Sequence, residues 1–569
     1  MISNVMSKNI FSTIPVKRPR RSVFKLDHDR KFSCPLGRLV PILCEEVVPG
    51  DKFSVSSNFV IRFAPLIAPL MHNIDVFVHY FYVPNRIVWD SWEEFITGGS
   101  LGNSPVSIPQ ITFNSPSDID SEQVASFNEG GHLLDYLGVS TQIGDEQVRL
   151  GLSQLPVRAF HLCWLDYYRD ENLEPIPDGN DVFDFIYKSG NSNLPFNRFF
   201  SSSHDPVNLY PSLGLRYANY IHDYFTSALP WTQRGPSSSI PISFGTAGNR
   251  LQVRFDPSVD TPALIRGVKS GTVPAKFPAD LETLAPGTLY GHPQDGTSAL
   301  FQATVNNAPS LYTELPEESG SLSILDFRRA NALQRWLEMN ARGGSRLKET
   351  IYNHFGVRVP DARLQRPEFL GGGKVPVNIS EVLQVSQTTD SSPQGNPSGT
   401  AVSAGTGVGF SNKFFSEHGF VFGIMSIMPR PAYQQGTRKF WRKFNKFDYY
   451  WPEFAHIGEQ EILNWEIFDT FSNVPDDDNL KPFGYTPRYA EYKFIPDSVH
   501  GDFKTSLSFW QGARIFSHRP VLNKTFLSLG SDFQRVFAVQ EAGSQQAWCW
   551  VYNKVTASRL MPRFGVPLI

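Results

Sequence analysis

Two stretches of the chain read as strands from their apolar and polar pattern. "DKFSVSSNFVIRF" (51–63) mixes alternation with β-branched residues. "VFVHYFYV" (76–83) is a nearly continuous apolar and aromatic run, which suits a strand buried on both faces or packed at an interface, and Pro84 ends it. Helical patterns sit between long irregular stretches. In "WDSWEEFITGG" (89–99), Asp90 is placed to cap a helix, Glu93 to close a capping box, and Gly98 and Gly99 to stop the helix after about two turns. A longer helix is predicted over 324–342, marked at its start by Ser323 and Asp326. Phe327, Ala330, Leu333 and Leu337 recur at helical spacing, and Gly343 and Gly344 follow. A third helical segment fits 155–173, "LPVRAFHLCWLDYYRDENL".

Elsewhere glycine and proline, 43 of each in 569 residues, punctuate the chain. Residues 236–320 hold short apolar runs, many turn signals and no sustained period. Residues 386–412 contain 15 Gly, Ser or Thr in 27 positions, one Asp and no Lys or Arg, which predicts a flexible loop. The resulting picture is of short strands joined by very long connections that enclose a few helices. Such connections are unusual in an isolated domain and are explained if neighbouring subunits order them.

Composition adds to that picture. Charged residues are 19% of the chain, against about 25% in a typical soluble domain. Aromatic residues are 13%, with 45 Phe, as suits a subunit that buries surface against copies of itself or simply a large aromatic core. The net charge of −3 gives no global attraction for nucleic acid, so any such contact must come from a local patch. Cys34, Cys44, Cys163 and Cys549 form no Cys-x-x-Cys pair and read as free thiols. No apolar run suggests a signal peptide or a membrane span.

Catalytic signatures are missing. There is no G-x-S-x-G and no H-E-x-x-H. In "GGGKV", Val375 occupies the place where a phosphate loop needs Ser or Thr. "PDDDN" (475–479) lacks the alternate ligand spacing and the Gly turn of a calcium loop and reads as a solvated acidic turn. No catalytic residue, metal ligand or cofactor is therefore assigned.

Several segments resemble a known family: "LVPILCEEVVPGDKF", "VPNRIVWDSWEEFITGG", "LDYYRDENL", "HDYFTSALPWTQRG", "RWLEMNARGGSRLKETIYNHFGV" and "YWPEFAHIGEQEI". In this order they are similar to the major capsid protein of microviruses, closest to the gokushovirus branch. The resemblance implies an all-β fold, an eight-stranded antiparallel jelly roll (β-sandwich) with long insertions, and no catalytic activity. It implies a virion protein, sixty copies closing a T=1 shell around circular single-stranded DNA, assembled in the host cytoplasm. The implied partners are a small basic DNA-packaging protein, a scaffolding protein, a pilot protein and a host receptor. By position, 236–320 would be the surface protrusion within a single capsid domain spanning 36–569. From residues alone, a competing class is a carbohydrate-binding or carbohydrate-active β-sandwich, since aromatic-rich β proteins often bind sugars. That class leaves the basic N-terminus and the low charge unexplained.

Two basic segments are the candidate DNA contacts. Residues 1–35 read as an arm carrying Lys17, Arg18, Arg20, Arg21, Lys25, Arg30 and Lys31 against Asp27 and Asp29. Sixty copies of these nine residues hold about +300 charges, far fewer than the roughly 1,700 phosphates of the gene encoding 569 residues. The arm is thus suited to local DNA contact, to exchange between subunits, or to plain disorder. In "RKFWRKFNKF" (438–447), Arg438, Lys439, Arg442, Lys443 and Lys446 would hold phosphates, and Phe440, Trp441, Phe444 and Phe447 would stack on bases. Read as a helix, the segment turns its aromatics into the protein and its bases toward DNA, an acidic neighbour or the outer surface.

Overall fold

A computed structural model describes residues 20–100, 104–112, 130–141, 151–174, 194–195, 214–235, 253–255, 265–268, 300–303, 311–313, 324–344, 346–383, 397–470, 477–539 and 544–564. The chain divides into two compact units, Met1–Arg234 with Glu338–Ile569, and Gly235–Leu337. The protein is mostly β-sheet with few helices, an all-β fold.

The larger unit is built on two sheets. Its strands of four or more residues are β1 (Ser22–Lys25), β2 (His28–Cys34), β3 (Val40–Val47), β4 (Lys52–Phe63), β5 (Ile74–Pro84), β6 (Glu368–Pro376), β7 (Asn378–Leu383), β8 (Pro397–Phe414), β9 (Gly419–Pro429), β10 (Glu459–Leu463), β11 (Pro482–Pro487) and β12 (Ala547–Arg559). In the first sheet β1 and β2 both pair with β12, followed by β4, β8 and β7; the second runs β6, β5, β9, β3. Every pairing within the two sheets is antiparallel.

The pattern of each strand follows from its place. Alternate residues of β4 point inward, so Phe53, Val55, Phe59, Ile61 and Phe63 are buried while Lys52 and Arg62 stay in water. They share one core with Val78 and Tyr80 of β5, Phe422 and Ile424 of β9, and Val551 and Val555 of β12. Ser57 breaks the apolar alternation of β4 for a reason. Its hydroxyl accepts from Tyr80 Oη (2.5 Å) and donates to Asn553 Oδ1 (2.6 Å), and Asn553 Nδ2 donates to the Ile42 carbonyl (2.9 Å). This buried polar chain links both sheets with its groups partnered, which is what burial of such groups requires. Strand β5 lies between β6 and β9 and is covered on both faces, hence its continuous apolar run. Its far face packs on the helix Leu155–Tyr167, where Tyr167 and Phe81 have ring centroids 4.7 Å apart and Tyr168 Oη meets His79 Nδ1 at 2.9 Å.

In the unit Gly235–Leu337, the described residues include two antiparallel pairs, Val253–Phe255 with Leu311–Thr313 and Ile265–Val268 with Leu300–Ala303. The remainder of the expected 236–320 protrusion lies outside the described residues, as do Lys17, Arg18 and 384–396.

Several expectations need correction. Residues 22–34, read as part of an arm, form β1 and β2 on the edge of β12. Phe32 and Cys34 turn toward the core, and β12 gains the hydrogen-bond partner an exposed edge would lack. Residues 397–412, read as part of a flexible loop, belong to β8, paired with β4 on one side and β7 on the other. Small residues are needed there because a side chain on Gly405 would overlap the Phe59 ring and one on Gly409 the Val55 carbonyl. The helix expected over 155–173 stops at Tyr167, and the Asp170 carboxylate accepts from the amides of Asn172 and Leu173, both at 2.9 Å, to close a turn. The 324–342 helix is present as Ile324–Gly343, but Phe327 and Leu333 of its apolar stripe are half exposed. The short helix is Trp92–Thr97 with Ser91, not Asp90, at its N-cap, and Gly98 ends it at φ 75°.

Candidate assembly surface

A second, smaller core supports the 438–457 region. Tyr224, Phe225, Tyr433, Ile462, Ile467 and Phe483 pack together around the antiparallel pair β10 and β11. Residues 438–447 cross this core as two short 3₁₀ turns, Lys439–Arg442 and Lys446–Asp448, instead of a helix. The break has a local cause: Asp448 Oδ2 accepts from the amides of Phe444 (2.9 Å) and Asn445 (2.8 Å). Those two donors hold the Asp448 carboxyl below its ordinary value, Asn445 contributing most.

The expected polarity is inverted. Three cations turn into the protein and the aromatics turn out. Arg442 Nη2 lies 2.9 Å from both oxygens of Asp469, a carboxylate with 1% of its side chain exposed, and its guanidinium sits 4.6 Å from the Trp465 ring centroid. Lys443, itself 4% exposed, reaches Glu491 Oε1 at 3.3 Å and lies 4.0 Å over the Tyr492 ring. Lys439 Nζ donates to the Glu461 carbonyl (3.0 Å) and faces Glu466 Oε1 at 3.6 Å. Burial raises the Glu466 carboxyl above its ordinary value despite Lys439, the Leu463 amide and the Tyr224 hydroxyl. Burial also pushes Glu491 upward, but the Gln460 hydrogen bond, its own backbone, Lys439 and Lys443 together bring it below its ordinary value.

Arg438 and Lys446 remain exposed, lying over the rings of Phe440 (4.9 Å) and Phe447 (5.0 Å). Phe440, Trp441, Phe444 and Phe447 are 49%, 68%, 83% and 57% exposed, and the open surface continues through Tyr449, Tyr450 and Trp451. An aromatic surface of this extent, with three of its five neighbouring cations already held by carboxylates, is what an interaction site looks like on an isolated subunit. Spacing within 438–447 did not reveal this because Glu466, Asp469 and Glu491, which draw the cations inward, lie 20 to 50 positions along the chain.

The N-terminal candidates are dispersed. Arg20 is exposed, and Arg21 donates to the Ser558 carbonyl at 2.8 Å. Arg30 turns inward to the carbonyls of Tyr136 (2.9 Å) and Pro41 (3.4 Å). Lys25 and Lys31 point outward from β1 and β2, Lys31 lying 2.8 Å from Asp29. Among the described residues no helix is long and apolar enough to cross a membrane, and no cluster of His, Cys, Asp or Glu is arranged for a metal ion. Asp478 of the acidic turn is paired with Lys481 (2.5 Å) and faces Arg519 (3.7 Å). All four cysteines are free, and burial pushes the Cys44 thiol up to about 12.

A β-rich subunit whose bare aromatic surface stands beside a complete core is built as a structural, assembling protein. Comparison with known proteins identifies which kind. Residues 12–569 match the family described as Capsid protein (F protein). The chain is 36% identical to "Capsid protein VP1" of Chlamydia phage 1, over 98% of this chain and 97% of that protein. It is 32% identical to "Capsid protein VP1" of Bdellovibrio phage phiMH2K, over 99% and 98%, and 30% identical to that of Spiroplasma virus 4, over 96% and 95%. The chain belongs to the phage F capsid protein family of microviruses, with a structural role in the virion and assembly with identical subunits.

Proposed function

We propose that the protein is the shell-forming subunit of a T=1 particle, an eight-stranded jelly roll of which sixty copies enclose a circular single-stranded DNA genome. The observation that carries this reading is the match to phage capsid proteins along nearly the whole chain. The strand order supports the jelly roll: β2, β12, β4, β8 face β3, β9, β5, β6, successive strands from β2 to β5 alternate between sheets, and the last strand returns between β2 and β4. The aromatic surface at 440–451 then serves as a joint between subunits, since the cations that would attract DNA there are largely held by carboxylates of the same chain. A small basic packaging protein neutralises the genome, scaffolding and pilot proteins take part, and assembly takes place in the host cytoplasm.

Sixty copies of 64.1 kDa sum to about 3.8 MDa, so co-expression with its scaffolding protein is expected to give particles of that size by sedimentation, seen as closed shells in negative stain. A product that stays monomeric under those conditions refutes the reading. The 236–320 segment is proposed to contact the host receptor. Exchanging it for the corresponding segment of a related phage is expected to change host binding, and unchanged binding would remove that role.

A further inference from the structure

The outward face of the first sheet presents a second aromatic surface, and its charges are arranged differently. Strand β12 alternates strictly: Cys549, Val551 and Val555 go inward, while Trp548, Trp550, Tyr552 and Lys554 go outward. Trp548 and Trp550 are 51% and 40% exposed. The Trp550 and Tyr552 rings are nearly parallel, 18° apart in plane with centroids separated by 6.4 Å. That separation is the ordinary distance between residues two apart on one face of a strand, so both rings are presented on the same surface. Trp550 Nε1 donates to Asp29 Oδ2 at 3.2 Å, which fixes the orientation of the indole.

The strand register sets cations around these rings. Lys31 is opposite Trp550, Arg62 opposite Trp548, Lys25 opposite Thr556 and Lys52 opposite Ser558. Lys554 stands at a shallow groove lined by Ser54, Ser56, Gly409, Ser411 and Thr556, a strip of hydroxyls and bare backbone beside the aromatic rings. On this face Asp29 is the acidic counterpart, taken up by Lys31 and Trp550. Asp27, at the turn between β1 and β2, accepts from the Val555 amide. Lys25, Lys52, Arg62 and Lys554 have no carboxylate partner among the described residues, unlike Lys439, Arg442 and Lys443.

We infer that this face is a platform for single-stranded DNA. Bases stack on Trp548, Trp550 and Tyr552, and phosphates lie along Lys25, Lys52, Arg62 and Lys554 with the groove hydroxyls beside them. Aromatic rings and unpaired cations on an open sheet are the combination that binds single strands with little sequence preference. The inference rests on the capsid reading, which supplies a single-stranded DNA genome as the occupant.

The test uses the full-length protein and a fluorescein-labelled oligothymidylate, followed by anisotropy at several salt concentrations. Trp550→Ala with Tyr552→Ala is expected to weaken binding roughly tenfold or more. Lys52→Glu with Lys554→Glu is expected to flatten the slope of log affinity against log salt by about 1.4, at about 0.7 per phosphate contact. Trp550, Lys52 and Lys554 are exposed and Tyr552 is half-buried, and the unfolding midpoint of each variant checks that the fold is kept. Unchanged affinity and unchanged salt slope in folded variants overturn the platform. Loss of particle formation with oligonucleotide affinity intact also overturns it, and assigns the face to a contact between subunits. Wild-type protein that binds the oligonucleotide through these residues yet never forms particles leaves the platform standing and refutes the capsid reading instead.

Discussion

Gly409→Val is expected to abolish recovery of folded subunit, and Gly409→Ala to destabilise it by about 2 kcal/mol or more. Position 409 pairs with Ser56 across the β4–β8 ladder, and a Cβ there would overlap the Val55 carbonyl oxygen and come within 2.7 Å of its carbonyl carbon. These are main-chain atoms of a central strand, so no rotamer change relieves the clash. At Gly405 the obstacle is the buried side chain of Phe59 and not main chain, so Gly405→Ala is expected to cost less. Gly407 provides the control. It sits at φ +73° with open space where a side chain would go, and Asn tolerates that backbone region, so Gly407→Asn is expected to change stability little. Urea unfolding midpoints of the purified subunit rank the variants. If Gly409→Val unfolds at the wild-type midpoint, β8 is not laid against β4 and the segment is the free loop its composition suggests.

That segment shows where sequence pattern stops being informative. Strands β4 and β5 are legible because burial writes itself into side-chain type, by alternation in one and by a continuous run in the other. Strand β8 is not, because close approach to β4 selects for the absence of side chains, and the same glycines and serines also make up solvated loops. The N-terminal strands were hidden differently. The basic cluster of 17–31 and its proline point toward an arm, while the strand that pairs with 22–34 begins at Ala547. Strand β12 carries a plain signal, aromatic residues at 548, 550 and 552 and a lysine at 554, separated by the inward-facing Cys549, Val551 and Asn553. In 438–447 the residue types pointed to a contact surface, but the direction of each side chain depended on carboxylates far along the chain.

Arg442→Ala is expected to destabilise the free subunit by about 3 kcal/mol, with no nucleic acid present. The change strips the partner from Asp469, whose side chain is 1% exposed, and removes the guanidinium from the face of Trp465. An unpaired buried carboxylate is costly, so adding Asp469→Asn to Arg442→Ala is expected to recover part of the loss by removing the stranded charge. Arg438→Ala and Lys446→Ala remove cations that lie in solvent over neighbouring rings, and each is expected to stay within about 0.5 kcal/mol of wild type. A row of phosphate-binding cations would behave in the opposite way: all three cation substitutions would leave the subunit equally stable and would each weaken DNA binding. Chemical unfolding of the four variants, beside oligonucleotide affinity of the same preparations, separates the two. A stable Arg442→Ala subunit with reduced DNA affinity would return 438–447 to the genome side of the shell. An unstable one whose stability is partly restored by Asp469→Asn fixes Arg442 as an internal brace, which holds Phe440, Trp441 and Phe444 outward where another subunit can cover them.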